Sequence, residues 1–176
     1  MDDHRSSDEY PSILNDIVNN SIEDILVPSQ QSMTVDTEYQ VITATAFCIK
    51  YGGGRRVYFN VTEQMINCVN PMFIEVLNDL SLSRYPGGPY LNWISIFEML
   101  SEESMVISSI DILCMTDSDD SNCHDGLLSG VVLNMNDDRS FGFIPSSFPL
   151  WIDLLYNKDN VKQLLASSEW RYVSIK

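Results

Sequence analysis

The chain has 176 residues, of which 44% are hydrophobic and 20% charged, enough apolar material to bury one domain's core and too much for a disordered polymer. Its 25 Asp and Glu against 10 Lys and Arg leave a net charge of −15. That balance argues against nucleic acid as a partner, because phosphate recognition needs clustered cations, and disfavours an anionic membrane surface. Gathered on one face, the excess would steer a basic partner; spread evenly, it would serve solubility alone. No apolar stretch reaches the roughly 18 to 20 residues of a membrane span, and Met1-Asp2-Asp3-His4-Arg5 is unlike a signal peptide. Taken alone that start reads as cytosolic; a piece of a larger secreted chain is the second reading.

Residues 1–11 are polar and charged and read as a linker or tail, and 12–176 as a single domain. From Ser12 to Val27 the apolar positions Ile13, Leu14, Ile17, Val18, Ile22, Ile25 and Leu26 predict an amphipathic helix ended by Pro28, although their Ile and Val content also permits strands. Thr34 to Tyr51 is rich in β-branched and aromatic residues that largely alternate, which predicts one long strand. Gly52-Gly53-Gly54 supplies a turn, and Arg55 to Thr62 the returning strand of a hairpin. Residues 64–80 are ambiguous between strand and helix. Pro86-Gly87-Gly88-Pro89 is a turn, after which Trp93, Ile94, Phe97 and Leu100 predict a short helix ending near Ser101. Met105 to Met115 predicts a strand, Asp117 to Gly126 a solvated acidic loop and Leu127 to Met135 a strand. Asn136-Asp137-Asp138 then turns the chain and Ser140 to Ile144 returns. Pro149 opens a predicted helix through Trp151, Leu154 and Leu155, Val161 to Ala166 is a second helical segment, and Trp170 to Ile175 closes as a strand. Strands dominate, so the predicted fold is mainly β: a two-sheet β-sandwich with a few short peripheral helices.

Little here suits catalysis near pH 7. The histidines are His4 and His124, and no nucleophile elbow, zinc-protease, Walker or dinucleotide glycine pattern is present. Gly52-Gly53-Gly54 lacks the Lys-Ser/Thr of a phosphate cradle and reads as a turn. A Ser, His124 and Asp triad is the one enzymatic arrangement left, so the expectation is no enzyme and no cofactor. Asp117, Asp119 and Ser121 match the first ligands of a calcium loop, but Asn122 replaces the sharp-turn glycine and Leu128 the bidentate glutamate. The EF-hand reading fails on both, and the favoured reading is no metal site.

Cys48, Cys68, Cys114 and Cys123 are separated by 19, 45 and 8 residues with no C-x-x-C, which argues against structural zinc. Four cysteines allow four free thiols or two disulfides in three connectivities. A Cys114–Cys123 bridge would close a short loop, and Cys48 with Cys68 would complete the set. Asn19-Asn20-Ser21 and Asn60-Val61-Thr62 are glycosylation sequons that make Asn19 and Asn60 candidate acceptors. For binding, Asp36 and Glu38 lie two apart, on one face of the long strand, and Asp111 faces away from Ile110 and Ile112 in its own. Carboxylates beside Tyr39 and Tyr58 would receive a Lys/Arg-rich protein through charge-assisted bonds and aromatic anchors; the alternative is that these are ordinary outward-facing strand residues.

Ser109-Ile110-Asp111-Ile112-Leu113-Cys114, followed by Asp117-Ser118-Asp119-Asp120-Ser121-Asn122, resembles the strand and acidic loop of the poxvirus secreted chemokine-binding proteins. Gly52-Gly53-Gly54 with Tyr58-Phe59 resembles a glycine-and-aromatic stretch of that family. Phe143-Ile144-Pro145-Ser146-Ser147-Phe148-Pro149-Leu150-Trp151-Ile152 is similar to the C-terminal extension of poxviral tumour necrosis factor receptor homologues, the SECRET domain. The matches span most of residues 35–155. The resemblance implies a secreted, extracellular β-sandwich that sequesters basic host chemokines and blocks receptor engagement, with Asp117, Asp119, Asp120, Tyr58 and Glu63 among its contacts. It also implies cysteine-rich cytokine-binding repeats upstream in the full-length chain. The chain departs from the stand-alone chemokine binders in having four cysteines where they have more, and in lacking the acidic insertion some carry after the segment matching Tyr51. The functional expectation is a viral decoy module contacting chemokine through Asp36, Glu38, Tyr39, Tyr58, Glu63, Asp111, Asp117, Asp119 and Asp120. The alternative is a calcium-dependent extracellular interaction module.

Overall fold

The computed structural model describes residues 12–63, 72–78, 92–115, 127–148, 150–167 and 170–176. The helix that the periodicity predicts over 12–27 is split. Helix α1 (Ile13–Ile17) buries Leu14 and Ile17, the chain turns at Asn19 with φ 66°, and strand β1 (Ser21–Val27) follows. A bulge between Ile22 and Asp24 explains the misleading pattern. The extra residue resets the alternation, so Ile22 and Ile25, three apart, both reach the core from one strand.

The long strand predicted from Thr34 to Tyr51 is three strands, β2 (Met33–Asp36), β3 (Val41–Ala44) and β4 (Ala46–Tyr51). Asp36 ends the first of them, because its carboxylate captures two backbone N–H groups of the turn that follows, those of Glu38 and Tyr39. The glycine hairpin forms as predicted: Gly52, Gly53 and Gly54 have φ of 49°, 82° and 91°, and β5 (Arg55–Glu63) returns with Arg55 opposite Tyr51. The ambiguous stretch contains β6 (Met72–Leu77). A two-residue strand β7 (Ile94–Ser95) precedes helix α2 (Ile96–Leu100), which starts after Trp93 because the Ser95 side chain caps it by accepting the Glu98 N–H.

Strand β8 (Met105–Met115) forms as predicted. The strand expected over 127–135 is interrupted at Ser129 into β9 (Leu127–Leu128), which pairs with β6, and β10 (Gly130–Met135), which pairs with β8. After β11 (Ser140–Pro145), the helix predicted from Pro149 is instead strand β12 (Ile152–Leu155). Its buried Ile152 and Leu154 alternate with less buried neighbours, and both its edges are hydrogen-bonded, to β11 and to β3. Helix α3 (Lys158–Ala166) and strand β13 (Trp170–Ile175) close the chain as predicted.

The mainly β expectation holds, but the strands do not separate into two sheets. All pairings are antiparallel and run in the order β2-β3-β12-β11-β10-β8-β1-β4-β5-β6-β9, with β13 on β8 and β7 on β1. The short β1–β8 ladder, Ser21 opposite Val106 and Ile22 opposite Met105, joins the two halves. Face to face across the interior, the Phe143 ring of β11 stands edge-on to Phe47 of β4 at 5.3 Å and to Phe59 of β5 at 5.0 Å. On the outer side of the β11 half, α3 covers Gly142, whose absent side chain leaves room for Val161 and Leu164. No helix among the described residues is long and apolar enough to cross a membrane.

Glycine placement yields a test of this packing. A Cβ at Gly130 would lie 2.8 Å from Leu113 Cδ1 and 3.1 Å from both Ile144 Cγ2 and the Phe143 carbonyl oxygen, whereas at Gly142 the nearest atom would be 3.5 Å away. Gly130→Ala is expected to cost about 1–3 kcal/mol by overpacking, and Gly142→Ala to stay within about 1 kcal/mol of the parent, read from urea denaturation midpoints.

Candidate protein-binding face

The turn at residues 37–40 is held from both sides. Asp36 Oδ1 accepts from the Glu38 and Tyr39 N–H groups at 3.0 Å each, and Gln40 sits in the left-handed region with φ 53°. From beneath, the start of α3 grips the same turn. The Tyr156 N–H donates to the Gln40 carbonyl at 3.4 Å, the Asn160 side-chain amide to the Tyr39 carbonyl at 2.7 Å, and Asn157 Nδ2 to Gln40 Oε1. Asn157 is itself fixed by capping α3, accepting from the Asp159 and Asn160 N–H groups. This preformed support presents two exposed carboxylates, Asp36 and Glu38, around a Tyr39 ring that is 65% exposed. An aromatic carried on a pre-ordered backbone among carboxylates loses less freedom on binding and suits an anchor for a cationic protein surface.

The charge around the turn is of one sign. Residues 24–49 and 140–157, which supply β2, β3, β12 and their turns, contain no Lys or Arg. The cations that α3 brings nearby are directed elsewhere: Lys158 Nζ binds Asp138 Oδ2 at 2.9 Å, and this hydrogen bond, with Lys162 adding to the field, holds the Asp138 carboxyl below its ordinary value. Asp36 and Glu38 therefore stand among strands and turns that supply no cation to pair with them.

Of the predicted contacts, the structure brings Asp36, Glu38 and Tyr39 together, through a turn and not through a shared strand face. Tyr58 is half-buried in the other half of the sheet, its ring 6.1 Å from that of Trp93. Glu63 is exposed at the end of the same strand, but five residues on it points to the opposite face, so the two do not form one patch. Asp111 does face away from Ile110 and Ile112, yet it is only 8% exposed and is no surface contact. Ser174 Oγ donates to its Oδ1 and Asn134 Nδ2 to its Oδ2 at 2.8 Å, and Ser140 Oγ in turn donates to Asn134 Oδ1 at 2.9 Å. This network ties β8, β10, β11 and β13 together, a structural use of a carboxylate that alternation alone does not reveal. Asp117, Asp119, Asp120 and His124 lie outside the described residues. Leu128, opposite Ile74 of β6, is fully buried, and no group of three or more His, Cys, Asp or Glu among the described residues is arranged to hold a metal ion.

The cysteine pairing needs correction. Cys48 is a free thiol, enclosed between Leu26 of β1 and Tyr58 of β5, so it does not bridge to Cys68; Cys114 is disulfide-bonded, with its partner outside the described residues. Burial pushes the Cys48 thiol up to about 11 against an opposing pull from Arg56. Of the sequons, Asn19 is exposed in the turn before β1, while Asn60 is half-buried in the middle of β5, opposite Ala46 and Glu75. The glycine hairpin is a turn and no phosphate cradle, since the N–H groups of Gly53 and Gly54 already donate to Glu23 Oε1 at 2.5 and 3.0 Å. Those bonds, the Gly53 one foremost, with Lys50 at 3.3 Å, lower the Glu23 carboxyl.

No family model, curated protein or solved structure matches the chain.

Cys48 gives a direct check on this half of the sheet. Iodoacetamide at pH 8 is expected to spare Cys48 in the folded protein and to label it after denaturation, as mapped by peptide mass spectrometry. Because the folded thiol value is raised, the stability it contributes is complete below pH 9.0 and is lost as pH climbs through about 11. Cys48→Ala should flatten that alkaline loss relative to the parent.

Proposed function

We propose that this chain is a non-enzymatic protein-binding module that captures basic chemokines, acting outside the cell as a viral decoy of the SECRET type. The observation that carries the reading is the pinned, cation-free turn at the β2 edge, where Asp36 and Glu38 flank an exposed Tyr39. The net charge of −15 and the ordered likeness of several segments to poxvirus chemokine binders point the same way. In this mechanism the carboxylates draw the ligand in at long range and then take charge-assisted hydrogen bonds from its Lys and Arg. Tyr39 supplies the desolvated contact that slows release.

Surface plasmon resonance against a panel of recombinant human chemokines is expected to give binding at low micromolar or better, and binding to none of them ends this reading. Asp36→Asn combined with Glu38→Gln should slow association and flatten its salt dependence, because the amide oxygen introduced at position 36 still accepts the turn's N–H groups while the charge is gone. Tyr39→Ala should act on dissociation, raising Kd about tenfold, a change of about 1.4 kcal/mol. Replacing Asp117, Asp119 and Asp120 by Asn separates a contribution of the acidic loop from that of the turn.

A further inference from the structure

Of the two glycosylation sequons, the fold leaves one open and closes the other. Asn19 stands in the turn between α1 and β1 at φ 66°, in the left-handed region that asparagine enters more readily than branched residues do. Its backbone is fixed to β8: the Asn19 N–H donates to the Ile107 carbonyl at 2.9 Å, and the Ile107 N–H to the Asn20 carbonyl at 3.1 Å. The next side chain is committed as well, Asn20 Nδ2 donating to the Asp16 carbonyl at 2.6 Å and Asn20 Oδ1 accepting from Arg55 at 3.2 Å. None of these bonds uses the Asn19 side chain, which is exposed. So are Asn15 and Asp16 before it and Gly53, Gly54 and Arg55 of the adjoining hairpin. A sugar on Asn19 extends into solvent without breaking any bond that holds the turn.

Asn60 is the opposite case. Val57, Phe59 and Val61 of β5 are buried in the core, so Tyr58, Asn60 and Thr62, of the other parity, point to the outer face. That face is covered. Residues directly opposite on antiparallel strands share a face, and Ala46 opposite Asn60 and Cys48 opposite Tyr58 are both fully buried, with the Trp93 ring 6.1 Å from that of Tyr58. Strand β4 is thus buried on both faces from Ala46 to Ile49, and Asn60 is half-buried between Ala46 and Glu75. An oligosaccharide on Asn60 would displace this cover, so a chain that received one could not complete the fold.

We propose that Asn19 is the N-glycan acceptor of this protein and that Asn60, in spite of its sequon, carries no glycan in the folded chain. The inference rests on the reading that the chain acts outside the cell, since the donor, a lipid-pyrophosphate-linked oligosaccharide, belongs to the secretory pathway. In the transfer Asn19 Nδ2 gives up one proton and bonds to the first sugar's anomeric carbon, while the bond from that carbon to the pyrophosphate oxygen breaks and the lipid pyrophosphate leaves. For the test, the full chain is expressed behind a cleavable secretion leader in mammalian cells. Protein from the medium is mapped by peptide mass spectrometry after peptide-N-glycosidase treatment in heavy-oxygen water, which marks each asparagine that bore a glycan. The mark is expected at Asn19 and not at Asn60. Ser21→Ala, which removes the sequon and leaves Asn19 in place, should abolish the glycosidase-sensitive mobility shift, and Thr62→Ala should leave it unchanged. Secreted protein with Asn19 empty, or with Asn60 marked, overturns the proposal. If protein with Asn19 empty still captures a chemokine, the acceptor site alone falls. If protein glycosylated at Asn19 captures none, before and after glycan removal, the chemokine reading ends and the acceptor site stands.

Discussion

A thirteen-strand antiparallel ladder with a native twist does not remain an open plane, because it would leave one full apolar face in water. Here the continuity of the ladder is maintained by only two paired positions between β1 and β8, while the two halves close over one another around Phe47, Phe59 and Phe143. The rest of the molecule depends on that closure. It buries the inner rows of β4, β5, β8, β10 and β11, while glycine at position 130 lets β10 lie close against Leu113 of β8 and Phe143 and Ile144 of β11. It also turns the remaining polar rows outward.

Among the described residues, β2 stands at an edge of the sheet. Exposed strand edges invite unwanted pairing, and proteins blunt them with short strands and charge. Strand β2 has four residues and ends in Asp36, whose Oδ1 shapes the next turn. The same device that limits the edge therefore creates the acidic, aromatic turn. Helix α3 finishes the arrangement, because Asn157 caps it and, with Asn160, braces the turn. A surface feature is thus rigid for reasons that lie in the packing beneath it.

Several elements are legible without coordinates. The Gly52–Gly54 hairpin, β8, α3 and β13 follow from turn chemistry, alternation and helical spacing, all local signals. The failures are equally particular. Ile22 and Ile25 mimic a helix because a bulge, invisible in spacing, lets residues three apart share a strand face. Trp151, Leu154 and Leu155 look helical because the buried Ile152 and Leu154 of the strand are interleaved with half-buried apolar residues, Trp151 and Leu155, of the opposite parity. Alternation groups Asp36 with Glu38 for a reason that does not hold, since a side-chain-captured turn, and no common strand face, gathers them and Tyr39.

Composition and pattern determined by themselves that the chain is mainly β and strongly acidic, because these properties are sums over residues or depend on neighbours a few positions apart. Which carboxylates face solvent was decided only by tertiary structure. Asp111 and Asp36 both occur in strands rich in β-branched residues, yet Ser174 and Asn134 enclose the first and the turn built by the second is exposed. Their partners lie 63 and 23 residues away in one case and two or three in the other. Only folding, by bringing β10 and β13 onto β8, makes that difference.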